Sequence, residues 1–290
     1  MLVNATAMLQ SAVKGHYGIA AFNTNNLEWT RSILTAAEQT QSPVIIQCTR
    51  GAANWQQGFK VVRNIVQDLV DYMKITVPVA VHLDHGTYED CFDAIDAGFT
   101  SIMYDGSHEP TFEINLERTA EIVKLCHSKG ISVEAEVGGI GGVEDGVASD
   151  GELADPQECK AIADTGIDFL ACGIGNIHGL YPDNWQGLSM DRLAEIKALT
   201  GDLPLVLHGG TGIPTPMVQE AISNGVAKIN VNTDLQVVMA KATREFIISG
   251  QDLKGKNYDP RKLLKPGFDA IVTRAVELIK DFGSDDKGWS

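Results

Sequence analysis

Five of the seven histidines in this 290-residue chain lie in short polar segments, each closing a run of β-branched or apolar residues. They are His82 and His85 in HLDHG, His108 in YDGSH, His178 in GIGNIH and His208 in HGGTG; His16 and His127 fall in a connection and a helical stretch. One histidine at such a place is more often a hydrogen-bonded structural residue, and His82 and His108 taken singly are read that way. Three imidazoles from different strands meeting at one mouth would suit Zn2+, which leaves one position open in a catalytic site. His85, His178 and His208 are the triple this points to. Each is followed directly by Gly, which lets backbone and ligand approach closely. Asp84, beside His85, either orients a ligand from behind or transfers a proton beside a bound substrate. HGGTG and NVNTD have the makings of phosphate cradles, offering backbone N–H groups, amides and hydroxyls ahead of helical stretches. Residues 138–151 hold six glycines with Glu144 and Asp145, and residues 130–159 hold eight acidic residues and no Lys or Arg. That segment is either a solvated acidic loop or a lid whose glycine hinges deliver one of those two carboxylates.

Something must bring these segments together. Strand-like runs occur at 18–22, 44–47, 77–83, 101–104, 132–137, 168–172, 203–207 and 228–231. Stretches with helical spacing follow them at 27–40, 59–73, 90–98, 115–129, 156–165, 190–200, 216–224 and 234–248. Eight βα units predict an α/β chain folded as a (β/α)8 TIM barrel, whose active site is built at the carboxyl ends of the strands. A doubly wound open sheet is the alternative, but no GxGxxG follows the first strand. Phosphate sites after the seventh and eighth strands are a recurrent barrel feature, and both cradles fall there. Gly98, Gly130, Gly166, Gly201 and Gly225 each follow a helical stretch and are expected to end it. Residues 249–290 exceed a minimal barrel and carry a last helical stretch at 267–282, so one domain over 1–290 with a C-terminal helical extension is expected.

Composition narrows the partners. The net charge of -15 repels nucleic acid and anionic lipid, although backbone N–H groups or a metal can still hold an anionic small molecule in a pocket. No run approaches the roughly 20 apolar residues of a membrane helix, and no signal peptide is evident. The five cysteines are scattered and form no CxxC, which favours reduced thiols in the cytoplasm.

HLDHG, VEAEVGGIGGVEDG, GIGNIHGLY, LVLHGGTGIP, KINVNTD and YDPRK, in that order, resemble the class II, metal-dependent fructose-bisphosphate aldolases, within the ketose-bisphosphate aldolases. The resemblance runs from FNTNNLEW to the final helical stretch. It implies reversible aldol cleavage of fructose 1,6-bisphosphate to dihydroxyacetone phosphate and glyceraldehyde 3-phosphate, a step of glycolysis and gluconeogenesis. It implies that His85, His178 and His208 hold the catalytic Zn2+, and that Asp105 and Glu136 mark a second or alternative metal position. Asp84 matches the residue exchanging the proton of the C4 hydroxyl. Glu144 matches the one moving the proton at the carbon beside the carbonyl. Asn23, Thr49, Gly179, Gly209, Gly210, Thr211, Asn230 and Thr233 match places that grip substrate. Ile177, Gly179, Gly209 and Thr211 match a site for a monovalent cation, Na+ or K+. Arg261 matches an arginine that reaches a neighbouring subunit's distal phosphate, which implies a homodimer or homotetramer. Asn232 leans toward fructose over tagatose bisphosphate, the tagatose enzymes being the nearest alternative.

The chemistry agrees with this. A bound divalent ion polarises the ketone, so no covalent lysine is needed. A Schiff-base route would have to use Lys228, which has no adjacent residue to depress its pKa. Two readings of other classes remain: a metal-dependent sugar-phosphate epimerase or hydrolase, and a sugar-phosphate binding protein without activity.

Overall fold

The computed structural model describes residues 2–144, 147–149 and 151–289, with the backbone alone for 143, 144 and 147–149. A first helix, α1 (Thr6–Gly15), precedes β1 (Ile19–Asn23), α2 (Leu27–Gln39), β2 (Val44–Cys48), α3 (Arg50–Trp55) and α4 (Phe59–Met73). Then come β3 (Val79–Gly86), α5 (Tyr88–Ala97), β4 (Ser101–Tyr104), α6 (Phe112–Ser128) and β5 (Ser132–Val137). A hairpin of β6 (Gly141–Glu144) and β7 (Val147–Ser149) leads to α7 (Pro156–Ala163), β8 (Phe169–Cys172) and the two-residue β9 (Ile177–His178). The chain ends with α8 (Met190–Thr200), β10 (Leu205–Leu207), α9 (Thr215–Ser223), β11 (Val226–Val231), α10 (Thr233–Ile248), α11 (Pro260–Leu263) and α12 (Lys265–Phe282).

Strands β1, β2, β3, β4, β5, β8, β10 and β11 form a closed barrel in that order. Closure is parallel, β11 pairing with β1 from Ile19↔Lys228 to Phe22↔Val231. The expected (β/α)8 barrel is therefore present. The local chemistry explains its helices. Thr87 and Asp90 form a reciprocal capping box at the start of α5. Val62, Val66 and Val70 of α4 recur every fourth residue and bury one stripe against the strands. The five glycines expected to end helices all have positive φ, from 63° to 100°.

Besides the short helices α3 and α11, the helices α1 and α12 and a small separate sheet lie outside the eight-unit pattern. Helix α1 buries Met8, Leu9 and Ala12 among Ile19, Ile45, Ala80, Phe169 and Val206, closing the barrel floor. Helix α12 packs against α2 and α10 on the outside. At the opposite end of the barrel, β6 pairs with β7 and β9 in a separate small sheet. Within it, Gly142 lies against His178. A Cβ on Gly142 would come 2.3 Å from the His178 carbonyl oxygen, so this contact needs glycine.

Candidate active site

Alternation along a barrel strand sends every second side chain inward. On β5 that puts Ser132, Glu134 and Glu136 on one face, and on β3 it does so for Ala80, His82 and Asp84. His85 should then point outward. It does not, because the β3–β4 register shifts between Leu83 and Gly86 and His85 adopts a left-handed φ of 49°. A local irregularity of this kind re-aims a side chain. The outcome is that Asp84 and His85, neighbours in sequence, both face the mouth.

The His85, His178 and His208 rings converge, with centroids 4.9 Å apart for His85–His178, 4.6 Å for His85–His208 and 5.8 Å for His178–His208. One ring nitrogen of each lies within 4.8 Å of the others. His85 Nε2 sits 2.8 Å from His208 Nδ1, and their outer nitrogens meet carboxylates. His85 Nδ1 is 2.8 Å from Asp105 Oδ2, and His208 Nε2 is 2.9 Å from Glu134 Oε1. His85, Asp105 and Glu136 form a second overlapping group with metal-ligand spacing.

Beside the imidazoles, the Asp84 carboxylate is held by three side-chain amides. Asn23 Nδ2 and Gln47 Nε2 donate to Oδ2 at 2.8 and 3.0 Å, and Asn230 Nδ2 donates to Oδ1 at 3.2 Å. Two cavities open here and share His178. One, of about 390 Å³, is lined by Thr49, His85, Asp105, His108 and Glu136 among others. The other is narrow and gathers Asn23, Asp84, Gly179, Gly209, Thr211, Asn230, Asn232 and Thr233.

The sequence profile of the family described as Fructose-bisphosphate aldolase class-II matches residues 3–287. A fructose-bisphosphate aldolase from Streptococcus pyogenes is 53% identical, over 99% of this chain and 99% of that one. One from Mycoplasma pneumoniae is 50% identical, over 99% of this chain and 100% of the relative. The crystal structure of the YdjI aldolase from Escherichia coli K12 superposes with a TM-score of 0.83 at 34% identity, covering 99% of this chain and 100% of that one. The chain belongs to the class II fructose-bisphosphate aldolase family.

That family is metal-dependent, and the donor set fits a divalent ion. Burial lowers the basicity of His85, but the Asp105 hydrogen bond and the Asp84 and Asp105 charges outweigh it and hold the imidazole protonated well above the usual range. The proton it carries lies between two ligand nitrogens, where a cation would replace it. His178 is pushed down to about 2 by burial and by the nearby His85 charge, and His208 is lowered by burial and by the His85 and Lys228 charges. Both are therefore neutral, as ligands must be. Burial raises the Asp84 carboxyl, yet the His85 and Lys228 charges outweigh it and keep it ionised. Burial and the Asp105 charge push Glu136 well above its ordinary value, and its buried Oε2 has no hydrogen-bond partner. Such an atom suits a position where a cation enters.

The aldolase loops are tightly fitted. Gly209 has φ 66°, and a Cβ there would lie 2.1 Å from the Ile177 carbonyl oxygen. The Tyr181 hydroxyl accepts from Ile177 N–H at 3.0 Å and donates to the Gly209 carbonyl at 2.9 Å, tying together two residues of the expected monovalent-cation set. Gly210 N–H is donated to the Asn230 carbonyl at 2.9 Å, so that donor of the cradle is already engaged. Thr49 caps α3, its hydroxyl accepting from Ala52 N–H. Thr233 opens α10.

One expected residue stands apart from the cluster, and another falls partly outside the described residues. Arg261, on α11, is 89% exposed on its side chain, pairs with Asp259 and lines neither cavity. The Glu144 side chain and all of Asp145 lie outside the described residues, although the Glu144 backbone belongs to β6. Sequence reasoning passed over Gln47, visible only as a polar strand end. It also passed over Glu134 as the partner of His208, for which the i, i+2 spacing of Glu134 and Glu136 was the available signal.

Proposed function

We propose that this chain catalyses the reversible cleavage of fructose 1,6-bisphosphate to dihydroxyacetone phosphate and glyceraldehyde 3-phosphate with a Zn2+ ion held by His85, His178 and His208. The observation that carries this is the convergence of those imidazoles beside an Asp84 carboxylate gripped by three amides. When bound, the ion supplies a Lewis acid that polarises the ketone and takes up developing negative charge.

The chain's own residues do the rest. Asp84 is ionised and fully hydrogen-bonded, so its orientation is set before substrate arrives, and it takes the proton of the C4 hydroxyl as the C3–C4 bond breaks. Glu144 is assigned the proton at the carbon beside the carbonyl; β6 brings its backbone close to His178 through the Gly142–His178 pairing. Asn23, Thr49, Asn230 and Asn232 contact the sugar. Gly179, Gly209, Thr211 and Thr233 hold the ketose phosphate near the N-terminus of the 16-residue α10, whose dipole favours an anion, while Gly210, its N–H engaged by Asn230, shapes the turn of that cradle. Asp105 and Glu136 offer the metal its second position, and Ile177, Gly179, Gly209 and Thr211 a site for Na+ or K+. Arg261 serves the distal phosphate in a neighbouring subunit of a homodimer or homotetramer. We further assign the whole chain to one domain and its place of action to the cytoplasm. All five cysteines are buried and none is in a disulfide, in keeping with a reducing compartment. No helix among the described residues is long and apolar enough to cross a membrane.

The test is to incubate zinc-loaded protein with fructose 1,6-bisphosphate and measure triose phosphates. Cleavage is expected, abolished by a chelator and without borohydride trapping of a covalent adduct. Cleavage of tagatose 1,6-bisphosphate alone would reassign the substrate. Cleavage of neither would overturn the proposal. Near-normal turnover in Asp84→Ala would overturn the role given to that carboxylate.

A further inference from the structure

Beneath the metal-ligating imidazoles, the barrel interior holds a second polar layer that the proposed chemistry does not use. Lys228, Glu134 and His82 are completely buried there. Lys228 Nζ donates to Glu134 Oε2 at 2.8 Å, and His82 Nε2 faces the same oxygen at 3.1 Å. The other oxygen, Oε1, faces His208 Nε2 at 2.9 Å. On its far side His82 Nδ1 meets Ser101 Oγ at 2.7 Å. Ser132 Oγ donates to Ser101 Oγ at 2.9 Å, and the Ala5 backbone N–H, at the start of α1, donates to Ser132 Oγ at 3.0 Å.

The Ser132 hydroxyl accepts from the Ala5 N–H and donates to Ser101 Oγ, which meets His82 Nδ1. His82 is neutral, its pKa brought down to about 4 by burial and the Lys228 charge, and its Nε2 lies 3.1 Å from Glu134 Oε2 and 3.5 Å from Lys228 Nζ. An ammonium can only donate. Paired with the Lys228 ammonium through one oxygen, the Glu134 carboxylate can only accept, so it must receive from His208 on the other. That places the proton of His208 on Nε2 and turns the Nδ1 lone pair toward His85 and the metal position.

We propose that Glu134 and Lys228 are positioning residues that fix the tautomer and orientation of His208 as a metal ligand. The inference deepens the metal-dependent reading and is tested without substrate. Partners behind a ligating histidine typically matter roughly 10- to 100-fold in metal affinity. A Lys228→Met/Glu134→Gln double variant removes both charges together, so no buried charge is orphaned. Its amide can donate or accept, so His208 loses its fixed tautomer.

The experiment titrates metal-free wild-type and double-variant protein with Co2+, reading affinity and the visible absorption of the bound ion, alongside thermal melts of the metal-free forms. Long-range 1H–15N spectra of histidine-labelled wild-type protein read the tautomer directly. The expected results are a His208 protonated on Nε2 and affinity lowered roughly 10- to 100-fold, with a folded variant and an altered spectrum. A wild-type His208 protonated on Nδ1 overturns the proposal, as does a variant with native affinity and spectrum. Should the variant fail to fold, the wild-type tautomer decides alone. A wild-type protein that binds Co2+ yet cleaves no ketose bisphosphate refutes the aldolase activity and leaves this assignment standing.

Discussion

Metal binding by this protein should expel a countable number of protons. Perturbing pH at fixed metal reads that number directly. In the metal-free structure only one of the three imidazoles is charged: His85 is held protonated by Asp105, while His178 and His208 are neutral. Asp84 and Asp105 are already ionised, their carboxyls lowered because hydrogen bonds and nearby positive charge outweigh burial. An ion seated among the three histidines therefore displaces one proton, that on His85 Nε2. One proton released means tenfold tighter binding per pH unit, about 1.36 kcal/mol, at every pH below the raised pKa of His85. Above that pKa the affinity levels off. An ion at the His85–Asp105–Glu136 position must instead remove a proton from His85 Nδ1 and another from Glu136, whose carboxyl is kept neutral by burial and Asp105. That gives two protons and about a hundredfold per pH unit. The same linkage sets the sign for the metal-free fold. A histidine whose folded pKa is raised contributes stability below its unfolded pKa and loses it as pH rises through the folded value. His82, His178 and His208, whose pKa values are lowered, add stability as pH rises to the unfolded imidazole range; above that range metal-free protein should lose stability with rising pH while metal affinity grows. Calorimetric titration with Zn2+ in two buffers of different ionisation enthalpy measures the proton count. A count near zero between pH 6 and 8 would mean that His85 is neutral in the metal-free protein, and the electrostatic account of the site would be wrong.

Gly209→Ala places a Cβ 2.1 Å from the Ile177 carbonyl oxygen at a left-handed φ, which alone costs about 1–2 kcal/mol. We expect lowered thermal stability and weakened metal binding, since the residue joins the loops carrying His178 and His208; unchanged metal affinity would show that those loops shift independently. Asp84→Asn introduces an amide N–H₂ among three amide donors. Cleavage should fall by about 10²- to 10⁴-fold with metal content retained, as measured by steady-state kinetics and metal analysis. Stripping the metal from protein held at 100 times its Kd should remove about 2.7 kcal/mol and lower the thermal midpoint by about 4 °C for a chain of this length, a shift that calorimetry resolves and metal addition reverses.

Much of the architecture is local in origin and so could be read from the chain alone. The eight βα units announce themselves by apolar runs of strand length and helical spacing, and the glycine stops at 98, 130, 166, 201 and 225 act within a few residues of themselves. Helix α1 escaped because its apolar residues have meaning only against the barrel floor they cover. The hairpin of β6 and β7 escaped because a glycine-rich acidic stretch carries little strand propensity, and its pairing with β9 is long-range.

The candidate site divides along the same line. Strand-end position is a property of sequence, so it singled out His85, His178 and His208 at the mouth with Asp84 beside them. Which way each side chain turns there is not. The left-handed residue in β3 overrides the alternation that would send Asp84 and His85 to opposite faces, and no spacing rule announces it. The partners of Glu134 come from β3, β10 and β11, up to 94 residues away, and meet only because the sheet closes on itself. Residue types and local periodicity thus determined which groups reach the mouth. Only the folded barrel brings the Asp105 and Glu134 carboxyls to the outer nitrogens of His85 and His208, because those partners lie on or at the end of other strands and no local segment contains them.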